Sequence, residues 1–235
     1  MFTIATWNIN SVRLRAGLVT RLLGEEAPDI LCLQECKSPV EKIPAQLFHD
    51  AGYRWMVARG QRGYNGVAIL SRLPITDAGE RDHARLGHAR HVAARLENGV
   101  TIHNFYVPAG GDVPDREVND KFGQKLDFLQ RMTDWSAAIR EPSIILGDFN
   151  TTDQSEDYHK ITAIFHDSVR EVGLGLGQTF PDSTSWRNLQ FIPPFIRIDY
   201  VFYSSELQAV SAGAWHQSAG SDHRPTVASL ILTSA

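Results

Sequence analysis

Cysteine is scarce in this chain of 235 residues, which contains only Cys32 and Cys36, both in one short apolar run. If that run forms a strand, the two residues lie about 13 Å apart, at ~3.3 Å per residue. A disulfide requires Cα atoms within about 7 Å of each other, so these two thiols are not expected to pair. We therefore expect a buried Cys32 and the reducing environment of the cytoplasm.

Long hydrophobic runs are also missing. No apolar run approaches the roughly 18 residues that a membrane-spanning helix needs. The chain starts almost directly with a strand-like segment at residues 2–7, and no basic segment followed by an apolar one precedes that strand. The sequence therefore predicts neither export nor association with a membrane, and we expect a monomer.

An excess of positive charge is absent, since the formal net charge is −4. This argues weakly against a nucleic-acid partner, because contacts to phosphate supply most of such affinity. However, residues 54–95 contain eight arginines and three acidic residues, a local charge of +5. That segment is either a solvated face or a binding surface. Some acidic residues elsewhere are candidate metal ligands, whose charge a bound cation would offset.

Short apolar segments dominate the sequence, and 43% of its residues are hydrophobic. Eight such segments, partly β-branched and bounded by turn-forming residues, are predicted strands: residues 2–7, 30–33, 67–70, 92–96, 100–106, 144–146, 196–203 and 227–232. Helices are predicted at residues 12 to about 25 and about 118 to 140, with a weaker one within 41–50 that starts no earlier than Pro44. The predicted stripe of the second helix is Phe122, Leu126, Leu129, Met132 and Ile139. This pattern predicts an α/β fold of sheets covered by helices, in one domain over residues 1–235.

Polar residues suited to catalysis stand at the ends of these strands. Asn8 and Glu35 follow the first two strands, Tyr106 closes the fifth, and Asp148 and Asn150 follow the sixth. Strand ends lead into loops, where a rigid sheet can present side chains to a common cleft. We therefore expect these side chains to converge.

Two of these motifs suit a divalent cation and a hydrolytic water. Mg²⁺ (or Mn²⁺) prefers one or two carboxylates together with amide oxygens and waters. Glu35 would supply a carboxylate and Asn8 an amide oxygen. A lone Glu at a strand end is, however, often merely solvated. In the turn at residues 147–150 (GDFN), Asp148 would take a proton from an attacking water, and Asn150 would hold a phosphoryl oxygen or that water. An ordinary turn has the same composition.

Asp199 interrupts the apolar run at residues 196–203, and a buried strand normally excludes an unpaired carboxylate. His223 is the expected partner. Such pairing would fix the tautomer of the imidazole and raise its pKa, which keeps it protonated for transition-state stabilisation. The adjacent Asp222 would place a second carboxylate on the metal side. Alternatively, residues 220–225 form only a loop before the last strand.

Other motifs carry less information. His83, His88 and His91 lie close in sequence, but their spacing and the missing thiolates predict an exposed loop rather than a zinc site. Trp186 and Phe191 flank a polar loop and would either stack on a substrate base or pack in the core.

Six segments together resemble the exonuclease III family of the endonuclease/exonuclease/phosphatase superfamily: residues 6–10 (TWNIN), 33–37 (LQECK), 64–71 (YNGVAILS), 147–150 (GDFN), 197–200 (RIDY) and 221–223 (SDH). They occur in the family's order and span nearly the whole chain. The resemblance implies a four-layer α/β sandwich similar to deoxyribonuclease I, with two packed mixed sheets between layers of helices. It also implies a Mg²⁺-dependent phosphodiesterase.

The resemblance further implies roles for individual residues. Asn8, Glu35 and Asp222 would belong to the metal site, and the hydroxyl of Tyr106 would lie beside the phosphate. Asp148 would activate the water, with Asn150 as its partner. Asp199 would orient His223. We expect contacts with substrate from Asn10, Arg90, Lys121, Lys125 and Trp186.

The two parts of the chain resemble different branches. Residues 105–111 and 119–135 are similar to bacterial exonuclease III. By contrast, only 49 residues separate Asn150 from Asp199, where that family carries a longer insertion. Residues 178–181 and 220–225 look more like the compact phosphatase and phosphodiesterase branches of the superfamily. One interpretation is that the chain is a mosaic of two branches, natural or artificial. The leading hypothesis is a DNA-repair nuclease that cuts double-stranded DNA at abasic sites or 3′ ends. The alternatives are an enzyme for a smaller phosphoester and a catalytically silent binding domain.

Overall fold

The computed structural model describes residues 1–182, 193–215 and 220–233. In that part of the chain, the strands are β1 (Phe2–Asn8), β2 (Ile30–Gln34), β3 (Trp55–Arg59), β4 (Val67–Ser71), β5 (Ile75–Gly79), β6 (His91–Leu96), β7 (Thr101–Tyr106), β8 (Ser143–Asp148), β9 (His166–Asp167), β10 (Asp199–Tyr203), β11 (Leu207–Ala214) and β12 (Thr226–Leu232). The helices are α1 (Ala16–Glu25), α2 (Ala45–Asp50), α3 (Asp120–Ser136), α4 (Glu156–Thr162) and α5 (Ser168–Val172). A single 3₁₀ turn, Val40–Lys42, precedes α2.

The strands form two six-stranded sheets, with the orders β11-β12-β1-β2-β4-β3 and β5-β6-β7-β8-β10-β9. Both sheets are mixed, because β1 pairs with β2, and β7 with β8, in parallel, while the other pairs are antiparallel. The sheets pack face to face over a buried core. Helices α1 and α2 pack on the outside of the first sheet, and α3 and α4 on the outside of the second. The predicted four-layer α/β sandwich is confirmed.

Burial on both faces explains why the central strands read as continuous apolar runs. In β2, Ile30 and Cys32 point into the core between the sheets, whereas Leu31 and Leu33 point toward the outer helices. The burial predicted for Cys32 is confirmed. Cys36 is buried as well, and burial raises the pKa of its thiol to about 12.

The three predicted helices differ from the structure mainly at their ends, and α4 and α5 were not predicted. The first begins at Ala16 rather than Val12, and Leu14 is 77% exposed, so the leucine repeat does not extend to it. The long helix begins at Asp120, where the side chain of Asn119 accepts a hydrogen bond from the Lys121 amide. The helix after Pro44 begins at Ala45, as the proline predicts. None of the described helices combines the length and the apolar character needed to cross a bilayer.

Strands β3, β5, β9 and β11 were not predicted. β3 and β5 are edge or near-edge strands with mostly half-buried or exposed residues, and β9 has only two residues. β11 is an edge strand rich in small residues, with a register irregularity between Ala209 and Ser211. Their apolar pattern is weak because only one face of each is covered.

The prediction of an exposed histidine loop is wrong. His83 and His91 are both buried, and only His88 is partly exposed. His91 is the first residue of β6, and its ring stacks on that of Phe105 with a centroid distance of 4.3 Å. His83 packs between Phe105, Phe128 and Trp135. Helix α3 covers both rings, a tertiary contact that sequence spacing does not show.

Candidate active site

Strand ends bring the predicted polar residues together. Asn8 ends β1, Tyr106 ends β7 and Asp148 ends β8, while Glu35 follows β2 directly. Asp199 begins β10, which runs antiparallel to β8 and pairs Asp199 with Asp148. Because β1 and β2, and likewise β7 and β8, are parallel, these positions meet at one end of the sandwich.

The chain turns sharply where it leaves these strands. Asn10, Glu35 and Asn150 all have left-handed backbone conformations, with φ of 47°, 49° and 49°. This region is uncommon for a residue such as glutamate, and residues held there cluster at functional sites. The carbonyl of Glu35 accepts a 2.7 Å hydrogen bond from the Ser11 amide, which holds two of these turns against each other.

Gly147 is required where β8 approaches its neighbour. Its φ is +138°, and an added Cβ would lie 1.9 Å from the carbonyl oxygen of Phe105 on β7. A side chain there would push the two strands apart. The glycine therefore fixes the position of Asp148 relative to Tyr106.

A buried polar bridge joins the two sheets just beneath the site. Gln34 Nε2 donates to Asn104 Oδ1 at 2.6 Å, and Asn104 Nδ2 donates to the carbonyls of Leu33 and Ala68 at 3.0 Å. Both amide side chains are fully buried. The bridge fixes the end of β2 against β7 and so determines the distance between Glu35 and Tyr106. Asn104 was not identified from the sequence, because it lies inside a predicted strand.

Asn8 connects the two main carboxylates. Its Nδ2 donates to Glu35 Oε1 and to Asp148 Oδ2, each at 2.9 Å. Its Oδ1 accepts a 3.1 Å bond from the Asn10 amide, which defines the orientation of the side chain. In this orientation Asn8 positions both carboxylates, and its role as a metal ligand stays a prediction.

Glu35 is held as a carboxylate by three donors. Besides Asn8, Tyr106 Oη donates to Oε1 at 2.9 Å and Lys37 Nζ lies 2.7 Å from Oε2. Burial opposes ionisation, but these hydrogen bonds and the charge of Lys37 outweigh it and keep the pKa of Glu35 below its ordinary value. Burial and the Glu35 charge raise the pKa of Tyr106, so its hydroxyl stays protonated.

Asp148, His223 and Asp199 form a buried triad. His223 Nδ1 is 2.9 Å from Asp199 Oδ2, and its Nε2 is 3.8 Å from Asp148 Oδ2. Burial disfavours the imidazolium, but Asp199 and Asp148 outweigh that cost and raise the pKa of His223 to about 10. Burial also raises the pKa of Asp148 to about 7, and Asp199 adds to this effect. His223 is therefore protonated at neutral pH.

Neighbouring groups fix the loop that carries His223. Trp7 Nε1 donates to the carbonyl of His223 at 2.9 Å, and Ser221 Oγ donates to the carbonyl of Asn8 at 2.6 Å. The ring of Phe180 packs on the imidazole with a centroid distance of 4.8 Å. Phe180 was not identified from the sequence, because nothing local connects residue 180 with residue 223.

Asp222 joins the cluster through Asn10. Asn10 Nδ2 donates to Asp222 Oδ1 at 3.2 Å, and Lys37 Nζ donates to Asn10 Oδ1 at 2.6 Å. Lys37 thus connects the carboxylate of Glu35 with the side chain that reaches Asp222. It was not singled out in the sequence, although its position two residues after Glu35 in a turn was the available signal.

The donor set fits a hard divalent cation. Glu35 and Asp222 are partly exposed carboxylates facing one cluster, and the buried Asp199 Oδ1 accepts no hydrogen bond within the described residues. Asp148, Asp199 and His223 also place one possible ligand atom each within 4.8 Å of one another. Because His223 holds a proton, the oxygen ligands that such a cation prefers prevail on the Glu35 and Asp222 side of the cluster.

The remaining predicted contacts divide into three groups. Arg90 packs over the Tyr106 ring at 4.7 Å and donates to its carbonyl at 3.2 Å, and Lys125 Nζ donates to the carbonyl of Asn150 at 2.5 Å. Both therefore border the site. Lys121 is exposed on α3 and makes no side-chain hydrogen bond within the part of the chain that the structure describes. Trp186 and Phe191 lie outside the described residues.

Comparisons with known proteins agree with this geometry. The model of the Endonuclease/Exonuclease/phosphatase family matches residues 5–223. Exodeoxyribonuclease III of Haemophilus influenzae is 28% identical over 160 residues, which cover 65% of this chain and 58% of that protein, so the chain spans less than two thirds of this relative. An AP endonuclease from Archaeoglobus fulgidus has a TM-score of 0.83 at 28% identity, covering 97% of this chain and 99% of that one.

A third comparison involves a structure with nucleic acid. The 3′ phosphatase NExo from Neisseria, bound to a product DNA hairpin, has a TM-score of 0.81 at 26% identity, covering 98% of this chain and 100% of that one. Both structural relatives match the chain almost end to end. The short segment between Asn150 and Asp199 therefore does not require an origin in a second branch.

Proposed function

The chain belongs to the endonuclease/exonuclease/phosphatase family, and from this membership we propose that it is a cation-dependent phosphodiesterase of the exonuclease III type that acts on DNA. It would cut 5′ to abasic sites or remove nucleotides and 3′ blocks from duplex ends. The observation that carries the proposal is the triad of Asp148, His223 and Asp199, joined through Asn8 to Glu35.

Asp148 is the proposed general base. Its pKa of about 7 suits proton transfer near neutral pH, where an effective base must be partly deprotonated and still basic. The amide of Asn150 donates to Asp148 Oδ1 at 2.9 Å, and its Nδ2 reaches both Asp148 Oδ2 and the Val107 carbonyl. Asn150 would thereby hold the carboxylate in position beside the attacking water.

His223 is the proposed stabiliser of the transition state. Asp199 holds its Nδ1, which leaves Nε2–H directed toward the Asp148 side of the cluster. A protonated imidazole there would stabilise negative charge that develops on the phosphoryl oxygens. The hydroxyl of Tyr106 and the guanidinium of Arg90, stacked on the same ring, would contribute further donors on the phosphate side.

Glu35 and Asp222, with Asn8, would hold the cation, for which we propose Mg²⁺ or Mn²⁺. When bound, such a cation supplies Lewis-acid stabilisation of charge on the phosphoryl and leaving oxygens. The salt bridge between Lys37 and Glu35 would have to loosen or be shared when the carboxylate ligates. DNA as substrate is supported by the relatives described above, and a monomeric state, a single domain and a cytoplasmic location stay predictions.

The alternative with specific support is a smaller phosphoester substrate. The net charge of −4 favours it, because a negatively charged protein attracts the phosphates of a duplex less strongly. A catalytically silent binding domain is less consistent with the structure. Such a domain has no need for Glu35, Asp148 and His223 to be present and connected by hydrogen bonds.

A substrate panel separates these functions. Purified protein is incubated with Mg²⁺ or EDTA and an abasic duplex, a 3′-phosphate duplex, a plain duplex or a small phosphodiester. We expect Mg²⁺-dependent cleavage of at least one DNA duplex. Cleavage of the small compound alone would support the alternative, and cleavage in EDTA would contradict the proposed chemistry. No turnover of any substrate would leave the binding domain as the better description.

A further inference from the structure

A second polar cavity lies on the outer face of the second sheet, away from the strand ends that form the active site. It has a volume of about 440 Å³ and lies beside the last turn of α3. Its floor consists of β6 and β7 residues, including His91, Ala93 and His103. α3 covers the rings of the β6 and β7 histidines through Trp135, whereas most residues of the edge strand β5 are exposed.

Two histidines in this floor form a hydrogen-bonded ladder. The amide of Arg81 donates to His91 Nδ1 at 2.9 Å, and His91 Nε2 is 3.2 Å from His103 Nδ1. Burial and nearby positive charges lower the pKa of His91 well below its ordinary value and that of His103 to about 3, so both rings are neutral. A neutral imidazole carries one proton. Because His91 Nδ1 is an acceptor, that proton is on Nε2 and is donated to His103.

The ladder determines the tautomer of its last member. His103 Nδ1 accepts from His91, so the proton of His103 is on Nε2. His103 is 6% exposed, and its Nε2 has no hydrogen-bond partner among the described residues. The ring of Trp135 is nearly perpendicular to it with a centroid distance of 4.8 Å, a contact that satisfies an N–H less well than an oxygen acceptor. The floor of the cavity thus presents a buried donor.

Two arginines line the same cavity. The guanidinium of Arg81 packs over the Trp135 ring at 5.1 Å, and within the described ranges it pairs with no carboxylate. Arg95 donates from Nε to Thr101 Oγ1 at 3.2 Å and is 3.8 Å from Glu141, an exposed and loose pair. The other acid at the cavity, Glu80, is engaged by Arg59 at 2.5 Å. Donors therefore predominate among the available groups, and one of them, Arg81, has no carboxylate partner within the described residues.

We propose that this cavity binds a small oxyanion, the phosphate or carboxylate group of a metabolite, between the N–H of His103 and the guanidinium of Arg81. An oxyanion satisfies the buried donor and the free guanidinium together, and guanidinium groups recognise such anions through paired hydrogen bonds. A volume of about 440 Å³ leaves room beyond the anion for the body of a small molecule. The site is separate from the proposed catalytic residues, so its occupancy does not depend on the proposed function.

Nitrogen NMR of the full chain, labelled at histidine and kept in EDTA, tests this proposal. The protein is titrated separately with inorganic phosphate, thymidine 5′-monophosphate and citrate. We expect at least one of these to cause a saturable change of the His103 Nε2 resonance. The ligand that binds most tightly distinguishes free phosphate, a phosphate monoester and a carboxylate as the source of the anion.

Variants connect the change to the cavity. Arg81→Gln should weaken binding by about tenfold or more, the size expected for the loss of a charge-assisted hydrogen bond. Arg54→Gln, at another exposed arginine that has no side-chain hydrogen bond or ion pair with the described residues, should leave the affinity unchanged. Arg81 is at the surface, so its replacement does not endanger folding. A His103 resonance that responds to none of the three anions, a response confined to His223, or equal affinities in wild type and Arg81→Gln would overturn the proposal.

Discussion

His223 and His103 are buried to the same extent, 5% and 6% exposed, and yet their pKa values move in opposite directions. The pKa of His223 is raised to about 10, whereas that of His103 is lowered to about 3. Burial disfavours the charged form of both rings. The difference comes from the charges that face them, which are carboxylates at the strand ends and arginines on the outer face of the sheet.

The comparison shows how one fold prepares two kinds of polar site. At the strand ends, Asp199 and Asp148 hold an imidazolium, which suits stabilisation of developing negative charge. On the outer face, the ladder from Arg81 through His91 to His103 holds neutral rings and exposes one directed N–H. The proposals accordingly give the first site a role in phosphoryl chemistry and the second a role in binding an acceptor.

Replacing Asp148 by Asn should have the largest effect and should affect only the strand-end site. Turnover should fall by at least about 100-fold, the low end for loss of a general base, because the amide cannot accept the proton of water. Rates are measured on the best DNA substrate of the panel, with thermal unfolding to check the fold. Asp134→Asn, on the exposed face of α3, is the matched control and should keep wild-type turnover. If Asp148→Asn unfolds the protein instead, Asp148 is structural.

Replacing Glu35 by Gln should weaken cation binding at the same site. The Mg²⁺ concentration for half-maximal activity should rise by at least about tenfold, the smallest effect usual for groups that merely support a metal ligand. The measurement is a Mg²⁺ titration of the cleavage rate. Glu97→Gln changes an exposed carboxylate in the same way and should not alter the titration. An unchanged Mg²⁺ dependence of Glu35→Gln would remove Glu35 from the metal site.

Replacing Asp199 by Asn should shift the pKa of His223 in the direction of the lowered pKa of His103. Loss of the facing charge should lower the pKa of His223 by about 1 to 3 pH units, the usual influence of one close opposite charge. Histidine NMR in the absence of divalent cations measures it. His103 in the same sample serves as an internal control, since Asp199 is not among the groups that shift its pKa. A His223 pKa that stays near its wild-type value would show that Asp199 is not what holds the charge.

His103 on the outer face of the second sheet should make the free energy of unfolding depend on pH in the acidic range. The folded state keeps His103 neutral down to a pKa of about 3, whereas the unfolded chain takes up a proton below about 6.5. The free energy of unfolding should therefore fall as pH decreases through this window, by about 1.4 kcal/mol per pH unit for this group. Urea unfolding between pH 7 and 5 should show a smaller loss in His103→Gln than in wild type. His49→Gln, at an exposed histidine, is the control. Equal losses of unfolding free energy in wild type and His103→Gln would contradict a neutral His103 in the folded state.

The sequence was sufficient for the strand-end site and insufficient for the outer cavity, for a physical reason. Asn8, Glu35 and Asp148 interrupt or end apolar runs, so their positions at strand ends can be predicted locally, and parallel pairing then brings them together. His103 lies in the middle of a predicted strand, and its partner His91 belongs to the neighbouring one. Their contact depends on strand pairing, and their burial depends on α3.

Tertiary contacts also explain the other omissions. Lys37 and Phe180 reach Glu35 and His223 only after the loops are placed by the two sheets. The four unpredicted strands have one covered face or only two residues, which leaves a weak apolar pattern. The central strands were predicted correctly because layers on both sides require them to be apolar throughout.

The proposed catalysis requires a charged His223 at neutral pH, and the proposed oxyanion site requires a neutral His103. Nitrogen NMR of the histidine-labelled protein, free of divalent cations at pH 7, observes both states directly, because ring nitrogen shifts report protonation and tautomer. We predict a doubly protonated His223, and for His103 a single proton on Nε2. A neutral His223, or a His103 that is charged or protonated on Nδ1, would contradict the assignment of the two sites.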